Sequence, residues 1–203
     1  MEDLKLLIKS DYHSVALRKL AAECSTAIEI GTYEMASTFP ILVGLSESAA
    51  PHRSFLAIDV HIHSPQRLQQ AQAWAEKENI AFRFLQTNDL DIPQLEPTEF
   101  LHIDSFHAYR HLSYELETFS PSVNRYILMH DTSPPWGMRD EDVIGSQPDF
   151  TRYPEWISRK KRGLWPAVQD FLSRHSEWAI HERCKTAAGY TILKRVGNYT
   201  GHG

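Results

Sequence analysis

Two stretches concentrate side chains that do chemistry. Residues 101–112 read LHIDSFHAYRHL, with Asp104 and His107 directly behind the apolar run PTEFLHID. Residues 125–136 read RYILMHDTSPPW, where a second apolar run ends in His130-Asp131. A third apolar run, SFLAIDV, carries Asp59, followed by His61 and His63. Carboxylates and imidazoles brought together can hold a divalent cation or take a proton from a bound hydroxyl. Loop acids scattered by chance would not fall at the end of three separate apolar runs.

The elements that must position these groups alternate. TAIEIG (26–31), SFLAIDV (54–60), IAFRFLQ (80–86), PTEFLHID (97–104) and NRYILMHD (124–131) read as strands. EMASTFPILVGL (34–45), SPQRLQQAQAWAEKEN (64–79), HAYRHLSYELETF (107–119) and LWPAVQDFLSRH (164–175) read as helices. Ser64 is the expected cap of the second of these, with Pro65 in its first position. Such alternation implies a parallel sheet covered on both faces. EWAIHER (177–183) and GYTILKR (189–195) are too close for a crossover helix, so they must pair antiparallel. The expected fold is a Rossmann-like, doubly wound, seven-stranded, mostly parallel α/β sheet with an antiparallel C-terminal hairpin. Residues 1–203 make one domain, with a helical lead-in over 1–23 and a long polar segment over 132–162 that is too long for an idle connection.

Bulk properties exclude several classes. A net charge of −5 and a pI near 6.1 argue against a nucleic-acid partner. No apolar run is long enough for a membrane span, and the N-terminus has no signal-peptide core. Cys24 and Cys184 are too few for a disulfide framework and read as small buried residues of a reduced, cytoplasmic protein. Asn198-Tyr199-Thr200 fits the glycosylation pattern by chance.

In open α/β sheets, ligands bind beyond the carboxyl ends of the strands. Those ends present Glu29, Gly31, Thr32 and Tyr33; then Asp59; then Gln86, Thr87, Asn88 and Asp89; then Asp104 and His107; then His130 and Asp131. Gly31 permits a tight turn and close approach to a ligand. The dinucleotide fingerprint G-x-G-x-x-G is absent, because Thr32-Tyr33-Glu34-Met35-Ala36 follows Gly31.

E-I-G, an acid after the next strand, D-x-x-H-x-Y, and an apolar strand ending H-D-T together resemble the class I S-adenosylmethionine-dependent methyltransferases. Within them the chain most resembles the metal-dependent sugar O-methyltransferases (macrolide-sugar methyltransferases and cephalosporin hydroxylase-like relatives) over residues 24–195. The resemblance implies that Glu29, Gly31, Thr32 and Tyr33 cradle the methionine part of S-adenosylmethionine, with Ser37 near its carboxylate. It implies Asp59 on the ribose, Val60 beside the adenine, and Asn88 and Asp89 at the adenine edge. Asp104 and Asp131, with His130 beside them, would bind a divalent cation such as Mg²⁺ or Mn²⁺. His107 would be the general base, and Asp104 would serve catalysis, cofactor and metal together. Two positions depart from the family: Met35-Ala36 stands where glycine or serine follows the turn, and His130 stands where an acid precedes the final Asp. Imidazole suits Mn²⁺ or Fe²⁺ better than Mg²⁺.

The implied partner is a small-molecule or glycan acceptor, with a deoxysugar the first choice and a small phenol still open. Trp136, Trp156 and Trp165 make residues 132–162 the acceptor lid, since aromatic faces stack on sugar rings. The alternatives are a metal-dependent hydroxylase and a non-catalytic adenosylmethionine-binding module of a larger glycan-synthesis protein. His102 reads as a buried, hydrogen-bonded strand residue. Tyr109 and His111 read as packing and surface positions of their helix, His61 and His63 as surface or cofactor-pocket residues, and Lys160-Lys161-Arg162 as a solvated face.

Overall fold

The computed structural model describes residues 10–141 and 149–197. The N-terminal residues 1–9, part of the 132–162 segment (142–148) and the Asn198 pattern lie outside the described residues. Seven strands form one sheet in the order β3-β2-β1-β4-β5-β7-β6. They are β1 (Thr26–Ile30), β2 (Arg53–Asp59), β3 (Ile80–Gln86), β4 (Thr98–Ile103), β5 (Val123–His130), β6 (Trp178–Cys184) and β7 (Tyr190–Arg195). The first five are parallel, and β7 runs antiparallel to both β5 and β6. This is the class I methyltransferase sheet, with the reversed hairpin expected from the short link between the last two strands.

Burial follows position in the sheet. Central β1 is buried after its first residue, Glu29 included, whereas edge strand β3 alternates exposed positions with buried or half-buried ones over most of its length. Helices α1 (Tyr12–Ala22), α2 (Thr38–Glu47) and α3 (Pro65–Lys77) cover one face with a core that includes Leu17, Phe39, Leu42 and Trp74. Helices α4 (Tyr109–Phe119) and α5 (Leu164–Arg174) cover the other, around Leu112, Leu116, Phe119 and Phe171.

Three local expectations are corrected. The second helix begins at Thr38 rather than Glu34, because Tyr33 (φ +42) and Met35 (φ +61) are left-handed and break helical geometry. Ser64 stands at the start of α3 but makes no side-chain capping bond. Among the described residues, the helix of the 1–23 lead-in starts only at Tyr12, where Asp11 caps α1 by accepting from the Ser14 amide at 2.7 Å. Among the described residues, no helix is long and apolar enough to cross a membrane. Cys24 and Cys184 are free; burial pushes the Cys24 thiol up to about 12.

Candidate active site

Among the described glycines, the one in the turn after β1 has the least room for a side chain. Gly31 has φ +84, and a Cβ there would lie 2.1 Å from the Asp104 carbonyl oxygen. Only glycine fits, so the turn lies directly against the end of β4. Asp59 braces the turn from the other side. Its Oδ2 accepts from the Thr32 amide (2.8 Å), the Thr32 hydroxyl (3.0 Å) and the Tyr33 amide (2.9 Å), and its Oδ1 accepts from the His61 amide (3.1 Å). Burial opposes this charge, but the bonds from Thr32, His61 and Tyr33 outweigh it and hold the carboxyl below its ordinary range. Met35 takes up, at φ +61, the left-handed backbone for which glycine is the low-cost residue.

Beyond these strand ends lies a cavity of about 460 Å³, bordered by Gly31, Tyr33, Asp59, Val60, Asn88 and Asp104 among others. A second, of about 320 Å³, is bordered by His13, Ser37, Asp104, His130 and Tyr190. Asp104 faces both. Of the expected cofactor residues, Gly31, Tyr33, Asp59, Val60, Asn88, Asp89 and Asp104 line the larger cavity, and Ser37 lines the smaller. Thr32 acts from beneath, through Asp59. Glu29 lines neither of these two cavities: it is fully buried, accepts from the Thr38 hydroxyl at 2.5 Å and lies 3.3 Å from His102 Nδ1.

At the shared acid, four side chains form a closed ring. His107 Nε2 lies 3.3 Å from Asp104 Oδ1 and 3.2 Å from Asp131 Oδ2. His130 Nδ1 lies 3.3 Å from Asp104 Oδ2 and 3.3 Å from Asp131 Oδ1. His107–Asp104 is aligned as a hydrogen bond, whereas His130 Nδ1 is buried without one. Nitrogen and oxygen atoms that crowd together without bonding one another are what a shared cation satisfies. Asp104, His107 and Asp131 can each offer one ligand atom, all within 4.8 Å of one another. A cation held by this mixture of imidazole and carboxylate would be Mn²⁺ or Fe²⁺ more readily than Mg²⁺. Asp131 is held at φ +56, a left-handed strain of the kind stored at functional sites.

The electrostatics follow from this ring. Burial works against the Asp104 charge, yet the hydrogen bond from His107 and the facing His130 imidazole pull its carboxyl well below the ordinary range. Burial also works against charge on both histidines, and the facing carboxylates, Asp104 foremost, raise them nonetheless. Asp131 is raised by burial, with His130 opposing and Asp104 reinforcing.

Several contributors were not visible in the sequence. Glu141 Oε2 lies 3.2 Å from His107 Nδ1, and Trp136 stacks on the His107 ring at 5.8 Å. His13, on α1, stacks on His130 at 3.9 Å and lies 3.2 Å from His102 Nε2. Burial, followed by the neighbouring imidazoles of His130 and His102, lowers the His13 pKa well below its ordinary value. His102 is fully buried as expected, but His111 is not a surface residue: it is 5% exposed and faces Asp89 and Glu115. Trp156 is exposed, and Lys161 and Arg162 pair with Asp170 and Asp140.

No protein-family model matches the sequence, and neither does a curated protein. Solved structures do share the fold. A methyltransferase from Geobacter sulfurreducens is 10% identical, with a TM-score of 0.57, over 96% of this chain and 87% of that one. A Podospora anserina methyltransferase bound to SAH is 14% identical, with a TM-score of 0.55, over 94% and 80%. A Bacillus cereus O-methyltransferase in complex with SAH is 14% identical, with a TM-score of 0.54, over 92% and 82%.

Proposed function

We propose that the protein is an S-adenosylmethionine-dependent O-methyltransferase acting on a hydroxyl of a sugar or glycan, with a divalent cation at the Asp104–Asp131 ring and His107 as general base. The observation that carries the reading is the position of Asp104, the one acid bordering both the larger cavity, which suits a nucleoside cofactor, and the smaller one, which suits an acceptor. The SAH-bound O-methyltransferase that shares the fold supports the choice of cofactor.

When bound, the cofactor would supply an activated methyl group, and the cation would acidify the acceptor hydroxyl. The protein's own residues do the rest. The Gly31 turn, braced by Asp59, brings donor-side backbone against Asp104. Asp104 and Asp131 hold the charge at the cavity junction. His107 takes the proton, and the facing carboxylates of Asp104 and Glu141 stabilise the resulting imidazolium. Trp136 shields one face of that ring from water. Two histidines beside two carboxylates also suit non-haem iron, which keeps the hydroxylase reading as the rival.

The test is calorimetric titration with S-adenosylmethionine and SAH, with and without Mn²⁺, followed by a deoxysugar screen for SAH formation. Micromolar cofactor binding and acceptor-dependent SAH formation support the proposal. Absence of cofactor binding under every metal condition overturns it, and turnover that consumes dioxygen and a reductant selects the hydroxylase.

A further inference from the structure

A second cluster of ligating groups lies apart from the Asp104 ring. Asp89 comes from the 3-10 turn Asp89–Asp91 after β3, and His111 and Glu115 come from successive turns of α4. An i, i+4 pair on a helix points to one side, and here that side faces the turn. His111 Nε2 is 3.0 Å from Asp89 Oδ2 and 3.7 Å from Glu115 Oε1. The three residues are 7%, 5% and 0% exposed.

Their bonding is incomplete. Asp89 Oδ2, His111 Nε2 and Glu115 Oε2 are all buried without an aligned hydrogen bond. Leaving such groups dry and unsatisfied is costly, and for a carboxylate especially so. Two of the remaining atoms are held by neighbours. Ser105 donates to Glu115 Oε1 at 2.6 Å, and His111 Nδ1 is 2.7 Å from the Tyr153 hydroxyl. An imidazole whose outer nitrogen is fixed by a neighbour, while its inner nitrogen faces carboxylates without bonding them, has the arrangement of a metal ligand with its supporting partner.

We propose that Asp89, His111 and Glu115 form a second divalent-cation site, selective for Zn²⁺ or a similar ion. In tetrahedral zinc with nitrogen and oxygen ligands at about 2.0–2.1 Å, neighbouring ligand atoms are about 3.4 Å apart, and the two contacts here lie on either side of that value. Three protein donors leave a fourth place for solvent. Asp89, His111 and Tyr153 also border the larger cavity, so the ion would fasten the turn after β3, helix α4 and the Tyr153 segment into one wall. Its role is architectural, and the proposal does not rest on methyl transfer.

The experiment uses the full chain, stripped with a chelator and titrated with Zn²⁺ by calorimetry and with Co²⁺ by visible absorption. The Asp131→Asn protein, whose first site is disabled, is expected to bind one ion and to melt at a higher temperature with Zn²⁺. Glu115→Gln in that background is expected to weaken binding by more than the roughly 100-fold that loss of an outer partner can cost, and Tyr153→Phe by roughly 10–100-fold. His111→Gln is the second ligand variant should Glu115→Gln fail to fold. Zero ions in Asp131→Asn, or an affinity unchanged by Glu115→Gln and His111→Gln, would overturn the site and leave a proton-sharing network. Neither result bears on cofactor binding, which is measured separately.

Discussion

The molecule has two acid–histidine clusters built from the same residue types, and their surroundings make them different instruments. The Asp104–His107–His130–Asp131 ring stands at the junction of two cavities, with Asp104 and His130 about a quarter exposed at the side chain. Asp89–His111–Glu115 lies deeper, between a turn and a helix, with the Glu115 side chain wholly buried while Asp89 and His111 border the larger cavity. In the ring, a hydrogen bond and positive partners outweigh burial and keep Asp104 charged. In the deeper cluster, burial prevails and pushes Glu115 up to about 8, with His111 opposing it and Asp89 reinforcing it. A partly exposed cluster can exchange protons with a ligand, whereas a deeply buried one needs a counter-charge.

The sharpest way to break this comparison is to truncate one histidine from each cluster. His107→Ala should lower turnover by roughly 10²–10⁴-fold, the usual weight of a general base. His111→Gln should lower the melting temperature more than it lowers turnover. Equal losses of turnover in steady-state assays would erase the distinction.

The next effect is on stability against pH in the chelated protein. Both His111 and Glu115 have folded-state pKa values raised above the unfolded ones, so their contribution is fully present at low pH and is lost as pH rises. For Glu115 the window runs from 4.5, its ordinary value, to about 8. Urea unfolding should show stability falling across that window, with a flatter profile for Glu115→Gln. Zn²⁺, which needs deprotonated ligands, should reverse the slope. A parallel profile for wild type and Glu115→Gln would mean that Glu115 ionises freely.

A smaller effect tests the ring. Asp104 is the foremost group raising both His107 and His130, so Asp104→Asn should lower the pKa of each. Imidazole proton shifts followed by NMR through a pH titration would show it, and an unchanged pair would remove Asp104 from its central place. The smallest is Trp136→Leu, which takes away a ring stacked on His107 at 5.8 Å. A cation–π contact of about 0.5–1 kcal/mol predicts a His107 pKa lowered by less than about one unit.

The fold was legible because its signal is local. Apolar runs mark the strands, and a short link forces β6 and β7 to be antiparallel. The Asp104, His107, His130 and Asp131 positions were legible because they fall at strand ends, where topology converges. A strand end has two sides and the sequence does not say which one faces a cavity, so the burial of Glu29 against Thr38 and His102 was not legible in it. Glu141 is 34 positions beyond His107, as the numbering shows, and no periodicity connects them. His13 lay in a lead-in helix whose approach to β5 is a tertiary contact. His111 looked like a helix surface residue because its partner Asp89 belongs to another element, and only packing reveals a polar pair turned inward.

Gly31 has one more consequence. A Cβ there would lie 2.1 Å from the Asp104 carbonyl oxygen, and the Asp104 amide donates to the Ile30 carbonyl at 2.8 Å, so the turn and the end of β4 meet without a gap. On the proposed reading, displacing the turn to admit a bulkier donor would disturb Asp104 and the proton removal beside it. A redesign at residues 31–36 aimed at new alkyl donors will therefore be selecting, at the same time, on how well the acceptor is activated.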